Sequence, residues 1–152
     1  HVAEMISLAR AAGKPVLVDP KGDDFTRYRG ATLLTPNRAE LKQVIGEWKS
    51  EAELQEKAQR LRDKLELDGL LLTRSEEGMT LFRQDHIETQ GTRAQEVFDV
   101  SGAGDTVIAS MALSLAAGLN HSQAMHIANA AAGVVVAKLG TAVCTQQELF
   151  NA

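Results

Sequence analysis

The stretch DVSGAGD, residues 99–105, decides how this chain folds. A glycine accepts backbone angles closed to other residues, so Gly102, Ala103 and Gly104 can turn several N–H groups toward one point. The apolar segment that follows predicts a helix beginning near Thr106. The unpaired N–H groups and positive dipole end of that helix would add to the same point. This arrangement is typical of an anion site, and phosphate is the expected anion.

Asp105 is an unusual neighbour for a bound phosphate. The bound anion would repel a carboxylate, so a carboxylate at this position suggests a function. The expected function is to accept the proton of a hydroxyl that attacks the phosphoryl group. The alternative is a glycine turn in which Ser101 or Asp105 caps the helix. Under either interpretation the stretch follows a strand-like run that ends in Val97 and Phe98. Neither a P-loop nor a Rossmann fingerprint is present, since the Gly-Lys-Ser/Thr ending is missing and Val107 stands at the third glycine position.

The composition places limits on the partners. The chain has 152 residues, 44% hydrophobic and 24% charged, which fits one globular domain. A net charge of −4 provides no basic field for nucleic acid or an anionic membrane. The apolar runs at 107–118 and 127–137 are too short to span a bilayer, and no signal peptide is visible. The single Cys144 cannot form an internal disulfide, so we expect a cytoplasmic protein.

Helical and strand-like patterns alternate along the chain, which predicts a largely parallel sheet covered by helices on both faces. The last two helices are apolar nearly all round and are therefore expected to be buried. The patterns predict helices that end near residue 13 and cover 38–45, 54–65, 106–117 and 122–138, and strands at 15–18, 31–35, 70–73, 79–82 and 87–89.

Ligands of such sheets bind beyond the carboxyl ends of the strands. Asp19, Asn37, Thr73 and Asp99 are all expected at such ends. Asn37 and Glu40 offer the oxygen atoms that Mg²⁺ prefers, although an Asn followed three residues later by Glu also has the spacing of a capping box. Both interpretations of this pair stay open.

Several segments resemble motifs of the ribokinase-like (PfkB) family of sugar kinases. They are DVSGAGD together with VLVDPKG, TPNRAEL, LLTRSEEGM and ANAAAGVVVAKLGTA, in the order and spacing usual for that family. The resemblance covers nearly all of the chain, and residues 1–152 correspond to the C-terminal part of the kinase domain. It implies an α/β fold, a three-layer α/β/α sandwich with a mostly parallel sheet, of which the nucleotide-binding half is present.

The resemblance also implies a role for individual residues. Asp105 would be the base, beside an anion hole formed by Gly102, Ala103 and Gly104. Mg²⁺ would be held mainly through water by Asn37 and Glu40, with no direct cluster of protein ligands, and a monovalent cation is expected near Asp99, which also supports the phosphates. Nucleotide contacts would come from Thr73, Arg74, Gly78, Asn129, Ala132, Gly140 and Thr141.

Some of these roles have plain structural alternatives. Thr73, Arg74 and Gly78 also fit a strand, turn and returning strand, and Ser75 departs from the glycine that the family commonly has there. Small residues of the late helix can serve tight packing alone, although Asn129 is polar enough to suggest function. Asp19 and Lys21 could place charge near the transferred phosphate or form a solvated turn.

The resemblance implies ATP·Mg²⁺-dependent phosphorylation of a sugar hydroxyl. The expected acceptor is heptose 7-phosphate, giving heptose 1,7-bisphosphate for ADP-heptose and lipopolysaccharide core synthesis, in a homo-oligomer. The alternatives are another ribokinase-like kinase, acting on ribose, fructose phosphate or a nucleoside, and a nucleotide-binding module without turnover. Nothing in the chain resembles the family's sugar-binding half and lid, so the 152-residue segment alone is expected to be inactive.

Overall fold

The computed structural model describes residues 1–93 and 97–152. These residues form two compact units, His1–Arg74 with Thr80–Glu88, and Ser75–Met79 with Thr89–Ala152. None of the helices in these ranges combines the length and apolar character that a membrane-spanning segment requires. The elements are α1 Val2–Ala11, β1 Leu17–Val18, β2 Leu33–Leu34, α2 Arg38–Ile45, α3 Glu51–Lys64, β3 Gly69–Thr73, β4 Met79–Arg83, β5 His86–Gln90, α4 Ala103–Ala116, α5 His121–Val136 and α6 Gln146–Asn151.

One sheet has the strand order β1-β2-β3-β4-β5, and most of it belongs to the first unit. Strands β1, β2 and β3 are parallel, with Leu17 opposite Leu33 and Leu33 opposite Gly69. A parallel crossover needs a dozen or more residues, and the connections at 74–78 and 84–85 are far shorter. The returning strands β4 and β5 therefore run antiparallel to their neighbours, which makes the sheet mixed.

The core of the first unit lies between this sheet and helices α1 to α3. The stripe predicted on the charged helix α3 is confirmed, since Leu54, Ala58 and Leu61 are buried. Ser50 begins the helix by accepting a hydrogen bond from the Glu53 N–H. The largest fully buried side chains of this core are Phe25, Leu34, Leu41, Leu54, Leu70, Leu72 and Phe82. Leu33, Leu71 and Leu81 are also fully buried but do not belong to this cluster.

The second unit is built on helices α4 and α5, which pack against each other. Helix α5 is buried at eight positions, as its apolar pattern predicts. The same prediction is wrong for much of α4, where only Val107, Met111 and Ser114 are buried among its residues and Leu113 is 74% exposed. Alanine scores as apolar and is also the best helix former, so an alanine-rich helix forms without being covered on every side.

The segment before α4 differs from the sequence prediction. Phe98 and Asp99 are in no strand, because their N–H groups donate to the carbonyl of Val136 at the end of α5, at 2.8 and 3.3 Å. The predicted strand end at Val97 and Phe98 is therefore wrong, and Asp99 does not follow a strand. Helix α4 begins at Ala103, three residues before the predicted start.

Candidate functional site

In the first unit, polar side chains gather at the carboxyl ends of the three parallel strands. Asp19 follows β1, Asn37 begins α2 just after β2, and Thr73 ends β3. Asn37 and Thr73 form a parallel β-bridge, and the Thr73 N–H donates to the carbonyl of Pro36 at 3.0 Å. The prediction that these three residues lie at one edge of the sheet is confirmed. We call Asp19, Lys21, Asn37 and Glu40 the carboxyl-edge cluster.

Asn37 and Glu40 form a capping box at the start of α2. Asn37 Oδ1 accepts from the Glu40 N–H at 2.9 Å, and Glu40 Oε2 accepts from the Asn37 N–H at 2.9 Å. The capping interpretation is therefore present in the structure. It leaves the metal role open, because each carboxylate oxygen has a second lone pair and Glu40 Oε1 takes no part in the cap.

Lys21 occupies the other side of Glu40. Its Nζ lies 2.6 Å from Glu40 Oε1 and 3.0 Å from Asp19 Oδ2, so one ammonium bridges two carboxylates. The hydrogen bonds to Glu40 and then to Asp19 raise the pKa of Lys21 above its usual value, which keeps the ammonium charged. Asp19 and Lys21 are exposed and form one charge cluster with Glu40. Their position near the transferred phosphate stays a prediction.

Arg74 has a structural partner in the first unit that its sequence position does not reveal. Its guanidinium donates to both carboxylate oxygens of Glu51, at 2.7 and 3.0 Å, and to Thr80 Oγ1 at 3.2 Å. These bonds join the first turn of α3 to strand β4, with Arg74 buried. A contact between Arg74 and nucleotide stays a prediction, and any such contact must coexist with this pair.

In the second unit, Gly78 and Asn129 both contact the segment at residues 90–92. Gly78 has φ +86°, and a Cβ built there would lie 2.0 Å from the carbonyl oxygen of Gln90. Asn129 is buried in α5 and its Nδ2 donates to the Gly91 carbonyl at 2.8 Å. Gly78 therefore permits the close approach of this segment and Asn129 holds it by a hydrogen bond, roles that the sequence did not suggest. Their contact with nucleotide stays a prediction.

Ser75 takes the left-handed conformation, with φ +53°. Glycine adopts this region at no steric cost, whereas serine is strained there. The backbone at this turn therefore has the form that the family's common glycine favours, although this chain has serine.

The glycine-rich stretch forms the start of helix α4. Gly102 is the N-cap residue with φ +78°, and no side chain caps the helix. The alternative in which Ser101 or Asp105 caps α4 is therefore wrong. The Ala103 N–H donates to Val100 O at 3.2 Å, whereas the N–H groups of Gly104 and Asp105 belong to the first turn, where a helix provides no acceptor of its own. These two groups are the donors best suited to an anion.

Asp99 ties the start of this stretch to the segment after α5. Its Oδ1 accepts from the Ser101 N–H at 2.8 Å and its Oδ2 accepts from the Gly140 N–H at 3.1 Å. Hydrogen bonds from the Ser101 side chain and backbone, and then from Gly140, hold the pKa of Asp99 below its usual range. Thr141 lies beside the same turn, since a Cβ on Gly102 would be 3.5 Å from Thr141 Cγ2. We call Asp99, Gly102, Gly140 and Thr141, with the first turn of α4, the α4-start cluster.

The remaining candidates take simpler positions. Asp105 is exposed in the first turn of α4, and Ala132 is half-buried on α5. Among residues 1–93 and 97–152, no three His, Cys, Asp or Glu side chains gather as a metal site. The carboxyl-edge cluster holds two carboxylates and one ammonium, so its net charge of about −1 suits a cation held through water.

Comparison with known proteins finds extensive similarity. The pfkB family carbohydrate kinase profile matches residues 1–148. The D-beta-D-heptose 7-phosphate kinase of Bordetella bronchiseptica is 56% identical over 149 residues, covering 98% of this chain and 48% of that protein. The bifunctional protein HldE of Proteus mirabilis is 56% identical over 156 residues, covering 100% of this chain and 32% of that protein. The chain thus spans about half or a third of the length of these relatives.

Solved structures show the same fold. Ribokinase of Arabidopsis thaliana, complexed with ribose and ATP, has a TM-score of 0.89 and 24% identity, covering 99% of this chain and 51% of that one. Phosphofructokinase-2 of Escherichia coli, in complex with potassium, has a TM-score of 0.88 and 19% identity, covering 99% of this chain and 50% of that one. The prediction of a ribokinase-like α/β fold is confirmed.

Proposed function

Because this chain belongs to the pfkB family of carbohydrate kinases, we propose that the full-length protein transfers a phosphoryl group from ATP to a sugar hydroxyl. The observation that carries the proposal is the exposed carboxylate of Asp105, in a helix turn entered through the left-handed Gly102. A relative named a heptose 7-phosphate kinase, 56% identical, supports heptose 7-phosphate as acceptor. The product would be heptose 1,7-bisphosphate, which feeds ADP-heptose and lipopolysaccharide core synthesis.

Asp105 would act as the base. It accepts the proton of the sugar hydroxyl while the hydroxyl oxygen bonds to the γ-phosphorus and the bond from that phosphorus to the ADP oxygen breaks. The N–H groups of Gly104 and Asp105 and the positive end of α4 would stabilise the negative charge of the transferring group. Ala103 contributes through the turn that its own N–H closes onto Val100.

Asn37 and Glu40 would hold Mg²⁺ through water. The fit is supported by Glu40 Oε1, which accepts a hydrogen bond from the positively charged Lys21 Nζ at 2.6 Å. Mg²⁺ bound with ATP neutralises charge on the phosphates. Thr73, Arg74, Gly78, Asn129, Ala132, Gly140 and Thr141 remain the proposed surroundings of the nucleotide, Gly78 and Asn129 by fixing the segment at residues 90–92.

The proposal extends to a monovalent cation, a location and an oligomeric state. A monovalent cation near Asp99 is supported by the ionised state of that carboxylate and by the potassium complex of the phosphofructokinase-2 of similar fold. A cytoplasmic location agrees with the use of ATP. A homo-oligomer is supported by the exposed apolar side chains of Val97, Phe98 and Val100.

We expect the full-length protein to release ADP with heptose 7-phosphate at a kcat/KM at least ~10²-fold above that with ribose, fructose 6-phosphate or adenosine, because a site built to bind a polar substrate rejects analogues that leave its groups unpaired. A coupled ADP-release assay measures this ratio.

The 152-residue chain alone, as a control, should turn over little sugar, since correct orientation of the acceptor supplies much of the rate. A preference for another acceptor would favour the alternative kinases, and nucleotide binding without turnover by the full-length protein would favour a binding module.

Replacing Glu40 with Gln should raise the Mg²⁺ concentration for half-maximal rate ~10-fold, because it removes a charge that supports the metal. The melting temperature should change little, since Gln also serves in a capping box and the partly exposed pair with Lys21 contributes only about 0–1 kcal/mol. A Mg²⁺ titration of the initial rate at saturating ATP, beside a melting curve without metal, measures both effects.

Glu148 provides a matched control for this experiment. It closes a capping box with Thr145 and pairs with Lys138 at 2.7 Å, so it has the same local bonds as Glu40 on a different helix. Glu148→Gln should leave the Mg²⁺ requirement unchanged. If both substitutions shift the requirement equally, or neither does, Glu40 is a capping residue alone.

A further inference from the structure

The ammonium of Lys21 lies between two carboxylates, at a place where a metal cation would be expected. It contacts Asp19 Oδ2 at 3.0 Å and Glu40 Oε1 at 2.6 Å, and so neutralises one of two negative charges at the carboxyl edge of the parallel strands. Removal of the ammonium would leave two carboxylates facing the same point. A divalent cation held there through water would then face two unpaired carboxylates and be attracted more strongly to the cluster.

The three side chains differ in their freedom to move. Glu40 is held by the N–H of Asn37 and its side chain is only 14% exposed. The Lys21 side chain is 64% exposed and consists of a flexible four-carbon stem. Its backbone is fixed separately, since the Lys21 N–H donates to the Tyr28 hydroxyl oxygen at 3.2 Å. The ammonium can therefore change partners while the Glu40 carboxylate stays in place.

Another Lys–Glu pair in the chain shows what is particular to Lys21. Lys138 contacts one carboxylate, that of Glu148, and its Nζ also donates to the Val143 carbonyl at 2.7 Å. That lysine connects the segment before α6 to the helix and has a backbone partner. Lys21 instead has two carboxylate contacts, and a phosphate could replace either of them as an acceptor.

We propose that Lys21 changes partners when a nucleotide binds together with a divalent cation. The ammonium of Lys21 releases Glu40, which then interacts with the cation, and the ammonium instead pairs with a phosphate group of the nucleotide. This inference rests on the proposed function. It makes Lys21 a nucleotide-binding residue that, before nucleotide arrives, competes with the metal for Glu40 and Asp19. Lys21 therefore opposes metal binding without nucleotide and supports nucleotide binding.

The test uses Lys21→Met in the full-length protein, which keeps the apolar stem and removes the charge. With Mn²⁺ alone as the probe, followed by electron paramagnetic resonance, the variant should bind Mn²⁺ ~10-fold more tightly, because the competing ammonium is gone. With Mg²⁺ and the β,γ-imido analogue of ATP, measured by calorimetry, the variant should bind the analogue ~10-fold more weakly, because one charge-assisted hydrogen bond is lost.

Lys42→Met is the matched control. Lys42 pairs with Glu47 at 2.9 Å and lies over the Trp48 ring, so its removal also deletes one ion pair of α2. Both affinities should stay within about two-fold of the unmodified protein. Changes of opposite sign in Lys21→Met alone support the exchange. Changes of the same sign, or none, overturn it, while an unmodified protein that binds no analogue overturns the proposed function itself.

Discussion

Replacing Asp105 with Asn in the full-length protein should lower kcat by at least ~10²-fold, because the amide keeps the shape of the carboxylate and cannot accept the proton of the sugar hydroxyl. The affinity for ATP should stay nearly unchanged or improve slightly, since a negative charge near the phosphates is removed. Initial rates at saturating substrates and nucleotide titration by calorimetry measure the two quantities. A kcat within a few-fold of the unmodified protein would show that Asp105 is not the base.

A matched substitution separates this effect from helix electrostatics. Asp105 lies in the first turn of α4, where any acidic residue also interacts favourably with the helix dipole. Glu4 has that position in α1. Glu4→Gln should therefore lower the free energy of unfolding by about as much as Asp105→Asn does, about 0.3–1 kcal/mol. It should leave kcat unchanged.

The sequence predicted best those features that depend on near neighbours. The stripe of α3 follows from spacings of three and four residues, and helix α2 has the predicted bounds Arg38–Ile45. The positions of Asp19, Asn37 and Thr73 at one sheet edge follow from short strands that each end at a polar residue. All of these patterns lie within one element or at its boundary.

The features that sequence reasoning missed depend on contacts between distant residues. Arg74 pairs with Glu51, and spacing alone offers no signal for that choice among the many acidic residues of α3. The Val136 carbonyl accepts hydrogen bonds from the N–H groups of Phe98 and Asp99, so these two residues lie in no strand although their composition suggests one. Tertiary hydrogen bonding overrides β-propensity there, as is usual for short segments.

The start of α4 was predicted three residues late for a local reason. Glycine is a poor helix former, so the two glycines of the stretch suggest a loop that extends to Thr106. In the structure only Gly102 has a left-handed backbone, and Gly104 is already helical. The difference matters for the proposed chemistry, because it makes the anion hole the first turn of the helix and puts Asp105 on that same turn.

The segment at residues 90–92 shows how a predicted ligand contact can also be a structural one. Asn129 suggests a function because it is a polar residue on an apolar helix, and in the structure its buried amide donates to the carbonyl of Gly91. Gly78 lies against the same segment from the turn before β4. A nucleotide beside these residues would therefore contact backbone that Gly78 and Asn129 hold in place, which makes Gly78 a sensitive position.

Gly78→Ala should lower the free energy of unfolding of the full-length protein by about 3 kcal/mol or more, because the added Cβ would lie 2.0 Å from the Gln90 carbonyl oxygen and the backbone must shift. The left-handed φ of +86° adds a further cost that any alanine would have there. Chemical denaturation and thermal unfolding measure the loss, which corresponds to a fall in melting temperature of about 3 to 5 °C or more for a protein two to three times the length of this chain.

Gly118→Ala separates the contact from the backbone conformation. Gly118 has φ +87°, almost the value of Gly78, and a Cβ built there meets nothing within 4 Å. Its substitution should cost only about 1 kcal/mol, the conformational part alone. The difference between the two variants, about 2 kcal/mol or more, then measures the close approach to Gln90. Equal losses in the two variants would mean that the segment at residues 90–92 yields to the added methyl group, and that Gly78 does not fix it.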